Sequence, residues 1–204
     1  MRILYNNGSL GRQGKSTLAY THYNYSKNKN YKFYTNDLLQ CSVHNIQNLI
    51  PQERLVSIED GDDISFQADD NIIFDFGGKP DERLIPVIQN VHAVVVPIAY
   101  RSKSELEITA KNINAMSEYN NNIVIVITNT QKEDAEEINA VLNQYFSSYK
   151  TFTVKASKYI VRLANYGKTV FDIANESNAE RRRLESLGII QQFSELYDYL
   201  DNIS

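Results

Sequence analysis

Tryptophan is absent from this 204-residue chain, cysteine occurs once, histidine three times, proline four times and glycine eight times. Each scarcity excludes something. Cys41 alone forms no internal bridge, and the scattered His22, His44 and His92 lack metal-ligand spacing, so neither a disulfide scaffold nor a zinc module is expected. The longest apolar runs, Val94-Val95-Val96-Pro97-Ile98 and Ile123-Val124-Ile125-Val126-Ile127, fall far short of the roughly 18 residues of a membrane span. Neither a span nor a signal peptide is expected, and with strand-like sequence starting at Met1 we expect a reduced, cytoplasmic compartment. No Pro/Ser-rich linker, repeat or low-complexity tract interrupts the chain, so a single domain over 1–204 is expected. Hydrophobic residues make up 42% of it, ordinary for a globular protein that buries a full core.

Excess charge of one sign is also lacking at first sight, because 21 basic side chains oppose 25 acidic ones. The distribution is uneven. Residues 1–150 carry 14 basic and 18 acidic groups, residues 151–190 carry 7 and 4, and residues 191–204 carry none and 3. A basic segment is therefore hidden in the average.

Short β-rich runs alternate with longer helical patterns. This predicts an α/β fold: a doubly wound, mostly parallel sheet with helices on both faces, Rossmann-like in architecture. Strands are expected at 2–6, 31–35, 71–75, 93–98, 122–128 and 151–154, several of them solid Val/Ile blocks suited to burial on both faces. Helices are expected at 15–26, 38–49, 82–90, 103–119, 132–145 and 157–165. A terminal pattern over 179–200, with Leu184, Leu187, Ile190, Phe193, Leu196, Tyr197 and Leu200 at helical spacing, reads as two helices hinged at Gly188. The acidic run Glu59-Asp60-Gly61-Asp62-Asp63 reads as a solvated loop.

Directly after the first strand comes Asn6-Asn7-Gly8-Ser9-Leu10-Gly11-Arg12-Gln13-Gly14-Lys15-Ser16-Thr17, and then a helix. In a Walker A phosphate loop, glycines let backbone N–H groups curl around phosphate, the lysine reaches the terminal phosphates and the following hydroxyl ligates Mg²⁺. Gly14-Lys15-Ser16 matches the end of that pattern. Ser9 stands where the template has its first glycine, and Gly8 lies one residue too early. The flanking strand and helix supply the context the motif requires. About 60 residues beyond Lys15, the strand Asn71-Ile72-Ile73-Phe74 ends in Asp75 and runs into Phe76-Gly77-Gly78. In a parallel sheet that carboxylate emerges beside the loop, as a Walker B aspartate does, with the glycines forming a switch-like loop.

In this order the motifs resemble the ParA/MinD family of deviant Walker ATPases over nearly the whole chain. The resemblance rests on Gly11-x-x-Gly14-Lys15-Ser16-Thr17, on Thr35-Asn36-Asp37, on Phe74-Asp75-Phe76-Gly77-Gly78, and on Ala93-Val94-Val95-Val96-Pro97 leading to Ser104. It also rests on Ile127-Thr128-Asn129 and Ala164-Asn165-Tyr166-Gly167-Lys168-Thr169-Val170. It implies a P-loop NTPase that binds ATP and Mg²⁺, closes into a nucleotide-sandwich homodimer, binds nucleoid DNA non-specifically and hydrolyses slowly when an adaptor stimulates it. By position, Lys15 and the loop Gly11, Arg12, Gln13, Gly14, Ser16 and Thr17 would hold the nucleotide. Ser16 would ligate Mg²⁺, and Asp75 would act through its water shell. Asp37 would orient the attacking water, and Asn129 would read the adenine edge. Leu10 stands where the family has its cross-dimer lysine, and leucine donates nothing to a phosphate. Arg12, Lys150 or Lys155 are the candidate substitutes. Carboxysome-positioning McdA-like relatives also lack that loop lysine, which tilts the expected cargo from a plasmid toward a carboxysome, through a ParB-like or McdB-like adaptor. The alternative is a regulatory ATP-binding subunit of a conjugation or pilus-assembly system that barely hydrolyses.

The basic segment contains Lys155, Lys158, Arg162, Lys168, Arg181, Arg182 and Arg183. It reads either as a solvated helix face or as a DNA-phosphate patch formed by Lys158, Arg162 and the arginine triplet, sequence-independent and salt-sensitive. Of the 14 tyrosines, Tyr20, Tyr23, Tyr25, Tyr31 and Tyr34 cluster early. Most are expected to half-cover the core, some to line an interface. The acidic, amphipathic carboxyl end lacks the basic residues of a membrane-surface helix, so membrane targeting is disfavoured.

Overall fold

The computed structural model describes residues 1–8, 10–36, 50–77, 82–99, 102–128, 138, 140, 142, 144, 146–155 and 167–203. Seven parallel strands, β1 (Arg2–Tyr5), β2 (Lys32–Thr35), β3 (Leu55–Ser57), β4 (Ile72–Asp75), β5 (Ala93–Ala99), β6 (Ile123–Thr128) and β7 (Lys150–Val154), form one sheet in the order β3-β2-β4-β1-β5-β6-β7. The Val/Ile blocks β5 and β6 are buried at every position, which an all-parallel sheet covered on both faces requires. Six strands lie where the sequence predicts them. The seventh, β3, is a three-residue edge strand whose residues are half-buried or exposed, so it offers no apolar block to read; it exists because Phe33 and Tyr34 of β2 present a free ladder edge to Leu55 and Val56.

The two-residue period of each strand sorts its side chains between two cores. Ile3 and Tyr5 of β1 join Ile73, Val95, Val124 and Val126 beneath α1 (Lys15–Tyr25), while Leu4 joins Phe74, Val94, Val96 and Ile125 on the opposite face. That second face is covered by α2 (Leu84–Asn90), by α3 (Lys103–Ser117) through Leu106, Ile113 and Met116, and by Ile138, Leu142 and Phe146, four residues apart in sequence. The expected helices over 38–49 and 157–165, and most of that over 132–145, lie outside the described residues.

Three helices complete the first face: α4 (Val170–Glu176), α5 (Asn178–Ser186) and α6 (Ile189–Asp201). The predicted hinge is there, because Gly188 separates α5 from α6 at a left-handed φ of +71°. Helix α4 was not anticipated, although its start is a reciprocal cap in which the Thr169 hydroxyl accepts from the Asp172 N–H and the Asp172 carboxylate accepts from the Thr169 N–H. The apolar side of α6, Phe193, Leu196, Tyr197 and Leu200, is buried in the core. No helix among the described residues is long and apolar enough to cross a membrane. The early tyrosines lie deeper than expected: Tyr20, Tyr23, Tyr31 and Tyr34 are buried, so within the chain they are core residues.

Helix α6 clamps α1. The Tyr197 hydroxyl donates to the Leu18 carbonyl at 3.0 Å, and its ring stacks on His22 with centroids 4.8 Å apart. Asp201 accepts from the hydroxyls of Tyr31 and Ser26 and meets His22 Nε2 at 3.1 Å. Burial pushes the His22 pKa down, outweighing the Asp201 carboxylate that raises it, so the ring is neutral. Nε2–H then donates to Asp201, and Nδ1 accepts from the Tyr5 hydroxyl at 2.8 Å. Burial raises the Asp201 pKa, but hydrogen bonds from His22, Ser26 and Tyr31 outweigh it and hold the carboxyl below its ordinary value.

Candidate phosphate-binding site

The strand order reverses at β1, whose neighbours β4 and β5 belong to the two halves of the sheet. Such a switch point opens a crevice outside the carboxyl ends of the strands. Asn6 spans it: its N–H donates to Val95 at 3.0 Å, its Nδ2 donates to the Phe76 carbonyl at 3.0 Å, and its Oδ1 accepts from the Gly8 N–H at 2.7 Å. The loop then turns through three left-handed residues, Gly8 (φ +52°), Arg12 (φ +57°) and Gly14 (φ +88°), before α1 begins.

Gly14 caps α1 without any side-chain hydrogen bond, and the first turn has no acidic residue. Glycine brings no side chain to cap the helix, so the leading N–H groups of α1 face the loop at the positive end of the helix dipole. Lys15, 8% exposed, curls back over the loop and donates from Nζ to the Leu10 carbonyl at 2.7 Å. Ser16 and Thr17 are half-buried in the first turn of α1, and Gly11 and Arg12 are exposed at the crest of the loop. The Gln13 side chain is buried and turned inward, accepting from the Ala99 N–H at 2.6 Å and donating to Glu105 at 3.3 Å. From β6, the Thr128 hydroxyl donates to the Gln13 carbonyl at 3.0 Å.

Asp75 ends β4 in register with Tyr5 of β1 on one side and Thr35 of β2 on the other. It is 2% exposed, and the strand alternation that places Ile73 in the α1 core turns Asp75 to the same side, beside the phosphate loop. Just beyond, Asn36 and Gly77 exchange two hydrogen bonds of 2.9 Å, so the end of β2 is fastened to the loop that follows Asp75. Asp37, Asn129, Lys158 and Arg162 lie outside the described residues.

The remaining candidates sit apart. Lys150 opens β7 at the amino end of a parallel strand, the edge of the sheet opposite the loop, with its Nζ over the rings of Phe152 and Tyr199. It therefore stands away from the loop within its own chain. Lys155 follows the carboxyl end of β7, on the loop's edge but three strand spacings, roughly 14 Å, from β1. The Arg181 side chain is engaged with α4, donating to the Ala174 carbonyl and to Asn175 Oδ1, both at 2.9 Å. Arg182 and Arg183 are exposed on α5. Residues missed in the sequence are Asn6 and Asn7 at the loop's start and Glu105, Thr109 and Asn112 on α3. No local pattern announces them, because they have partners about 70–105 residues away.

A seven-stranded parallel sheet with a glycine-rich strand–loop–helix at its switch point is the P-loop NTPase fold. More narrowly, the fold is that of the ParA/MinD ATPases. No protein-family model matches the chain, and no curated protein sequence matches it. Solved structures do. An ATP complex of a Cyanothece McdA variant superposes with a TM-score of 0.63 at 13% identity, over 100% of this chain and 96% of that one. MinD from Pyrococcus horikoshii with Mg-ADP gives 0.64 at 11% identity, over 99% and 97%. A ParA family ATPase from Chlorobium tepidum gives 0.59 at 11%, over 96% and 98%.

Proposed function

We propose that this chain is an ATPase that dimerises with Mg·ATP, binds nucleoid DNA without sequence preference, and positions or segregates an intracellular cargo through an adaptor that stimulates hydrolysis. The observation that carries the reading is the cradle itself, the glycine-led start of α1 approached by a loop whose Lys15 folds over it, with the buried Asp75 one strand away. ATP and Mg-ADP in the fold neighbours support the choice of ligand.

The residues present fit Mg·ATP. The glycine-led start of α1, the Lys15 ammonium folded over the loop and the buried Asp75 carboxylate at the end of β4 are suited to a phosphate tail and its cation. The bound nucleotide supplies the transferable phosphoryl group, and the cation neutralises its charge. The α1 N–H groups and Lys15 would hold the phosphates, the Ser16 hydroxyl would ligate the metal, and Asp75 would act through the metal's water shell. Asp37 positions the attacking water, and Asn129 reads the adenine edge. With Leu10 in the loop, Arg12 or Lys155 supplies the extra cation to the phosphates of the facing copy. Lys158, Arg162, Arg182 and Arg183 contact DNA phosphates. The cargo is a plasmid or a protein body such as a carboxysome, reached through a ParB-like or McdB-like adaptor, and the protein acts on the nucleoid in the cytoplasm.

Light scattering with and without Mg·ATP tests the core of this reading. The wild type is expected to dimerise only with Mg·ATP, and Lys15→Ala to remain monomeric. A Lys15→Ala protein that binds ATP and dimerises normally would sink it. A chain that dimerises but hydrolyses nothing, even with its adaptor, would instead be a regulatory ATP-binding subunit.

A further inference from the structure

Of the buried polar side chains of the phosphate loop, Asn7 and Gln13, one toward each end, are both engaged by the same unit, β5 with α3. Asn7 Nδ2 donates to the Pro97 carbonyl at 2.6 Å and to the Thr109 hydroxyl at 3.3 Å. Asn112 Nδ2 donates back to the Asn7 carbonyl at 3.1 Å and to its Oδ1 at 3.3 Å. At the other end, Gln13 takes the Ala99 N–H and gives its amide to Glu105.

Glu105, Thr109 and Asn112 stand at i, i+4 and i+7 of α3, one stripe of a helix. The helix is well anchored. The Ser102 hydroxyl accepts from the Glu105 N–H at its start, and Leu106, Ile113 and Met116 seat it in the core. The approach is close: a Cβ on Gly8 would lie 2.6 Å from Asn112 Nδ2. A loop with three left-handed residues, one of them the non-glycine Arg12, keeps such a conformation only where its surroundings over-determine it. The α3 stripe does this from the side of the sheet opposite α1.

We propose that Glu105, Thr109 and Asn112 are positioning residues that hold the phosphate loop in its anion-receiving form before nucleotide arrives. This rests on the nucleotide reading above and adds to it residues that touch no phosphate. Ordering the loop in advance removes a conformational cost from binding. Their loss therefore weakens ground-state and transition-state binding alike, raising KM while leaving kcat at saturation nearly unchanged.

The test titrates Mg·ATP into wild type, Lys15→Ala, Asn112→Asp, Thr109→Val and Thr109→Ser, with the melting temperature of each nucleotide-free protein measured alongside. Asn112→Asp keeps the shape but sets a carboxylate against two oxygens of Asn7, and is expected to weaken Mg·ATP binding about tenfold or more. Thr109→Val, which removes the hydroxyl, should weaken it several-fold, and Thr109→Ser, which restores the acceptor, should bind within about twofold of wild type. Should Asn112→Asp fail to fold, the Thr109 pair decides. Folded Asn112→Asp and Thr109→Val proteins that bind Mg·ATP as tightly as wild type, while Lys15→Ala does not, would overturn this inference alone. A wild-type chain that binds no Mg·ATP would overturn the nucleotide reading and this inference with it.

Discussion

His22 Nε2 lies 3.1 Å from Asp201 Oδ1, a hydrogen bond that joins the helix after the phosphate loop to the last helix of the chain. Burial holds the ring neutral against the pull of this carboxylate, and that makes the fold acid-sensitive. The folded pKa of His22 is lowered, so below about pH 6.5 the unfolded chain binds a proton that the folded chain refuses. Its stabilisation is complete above that value and declines as pH falls. Half-buried His92 is shifted in the same direction, first by burial. Asp201, lowered in the fold, adds a second loss at lower pH, as it is protonated beneath the ordinary carboxylate range. Urea midpoints should therefore drop between pH 7.5 and 5.5, and His22→Gln should flatten that slope without abolishing it. An unchanged slope in the variant would contradict the neutral assignment.

Asp201→Ala strands three donors at once, on His22, Ser26 and Tyr31. We expect a loss of about 2–4 kcal/mol in urea unfolding. Amide exchange should report the faster opening of α6, and an intact melting temperature would refute the clamp.

Three glycines can be ranked. Ala at Gly14 or Gly188 meets no bad contact, so each substitution carries only the backbone strain of a positive φ, about 1 kcal/mol. At Gly8 the new Cβ also meets the end of the Asn112 side chain, which must swing away and give up its hydrogen bonds to Asn7. Thermal unfolding should therefore show Gly8→Ala to be the most damaging of the three, and equal losses would contradict the close packing of α3 on the loop.

Arg181 and Arg182 should separate stability from nucleic-acid binding. Removing Arg181 deprives the end of α4 of two hydrogen bonds and should lower stability by about 1 kcal/mol. Arg182→Ala should leave the melting temperature unchanged and weaken low-salt binding of random-sequence DNA, read by fluorescence anisotropy. Identical DNA binding by Arg182→Ala would leave that side chain as a solvated surface group.

Much of the fold was legible because its signals are local. The Val/Ile blocks of β5 and β6 announce doubly covered strands, the apolar spacing of 189–200 announces a helix, and Gly188 announces the hinge. The loop from Asn6 to Thr17 was legible as well, since a phosphate cradle depends on glycines, a lysine and a hydroxyl adjacent in sequence. The three-residue β3 was not, because edge pairing with β2 rather than its own pattern makes it a strand.

What the order of residues determined by itself is the alternation of strand and helix, the strand–loop–helix around Lys15 and the place of Asp75 at a strand end. Tertiary structure alone decided that Gln13 turns inward, that Lys150 stands at the edge of the sheet opposite the loop and that Arg181 caps a neighbouring helix. It alone brought Asn112 to Asn7 and Asp201 to His22. The reason is one of range. Periodicity and turn chemistry act over a few residues, whereas hydrogen bonds between groups about 90–180 residues apart exist only once the buried sheet has fixed which helices lie against which strands.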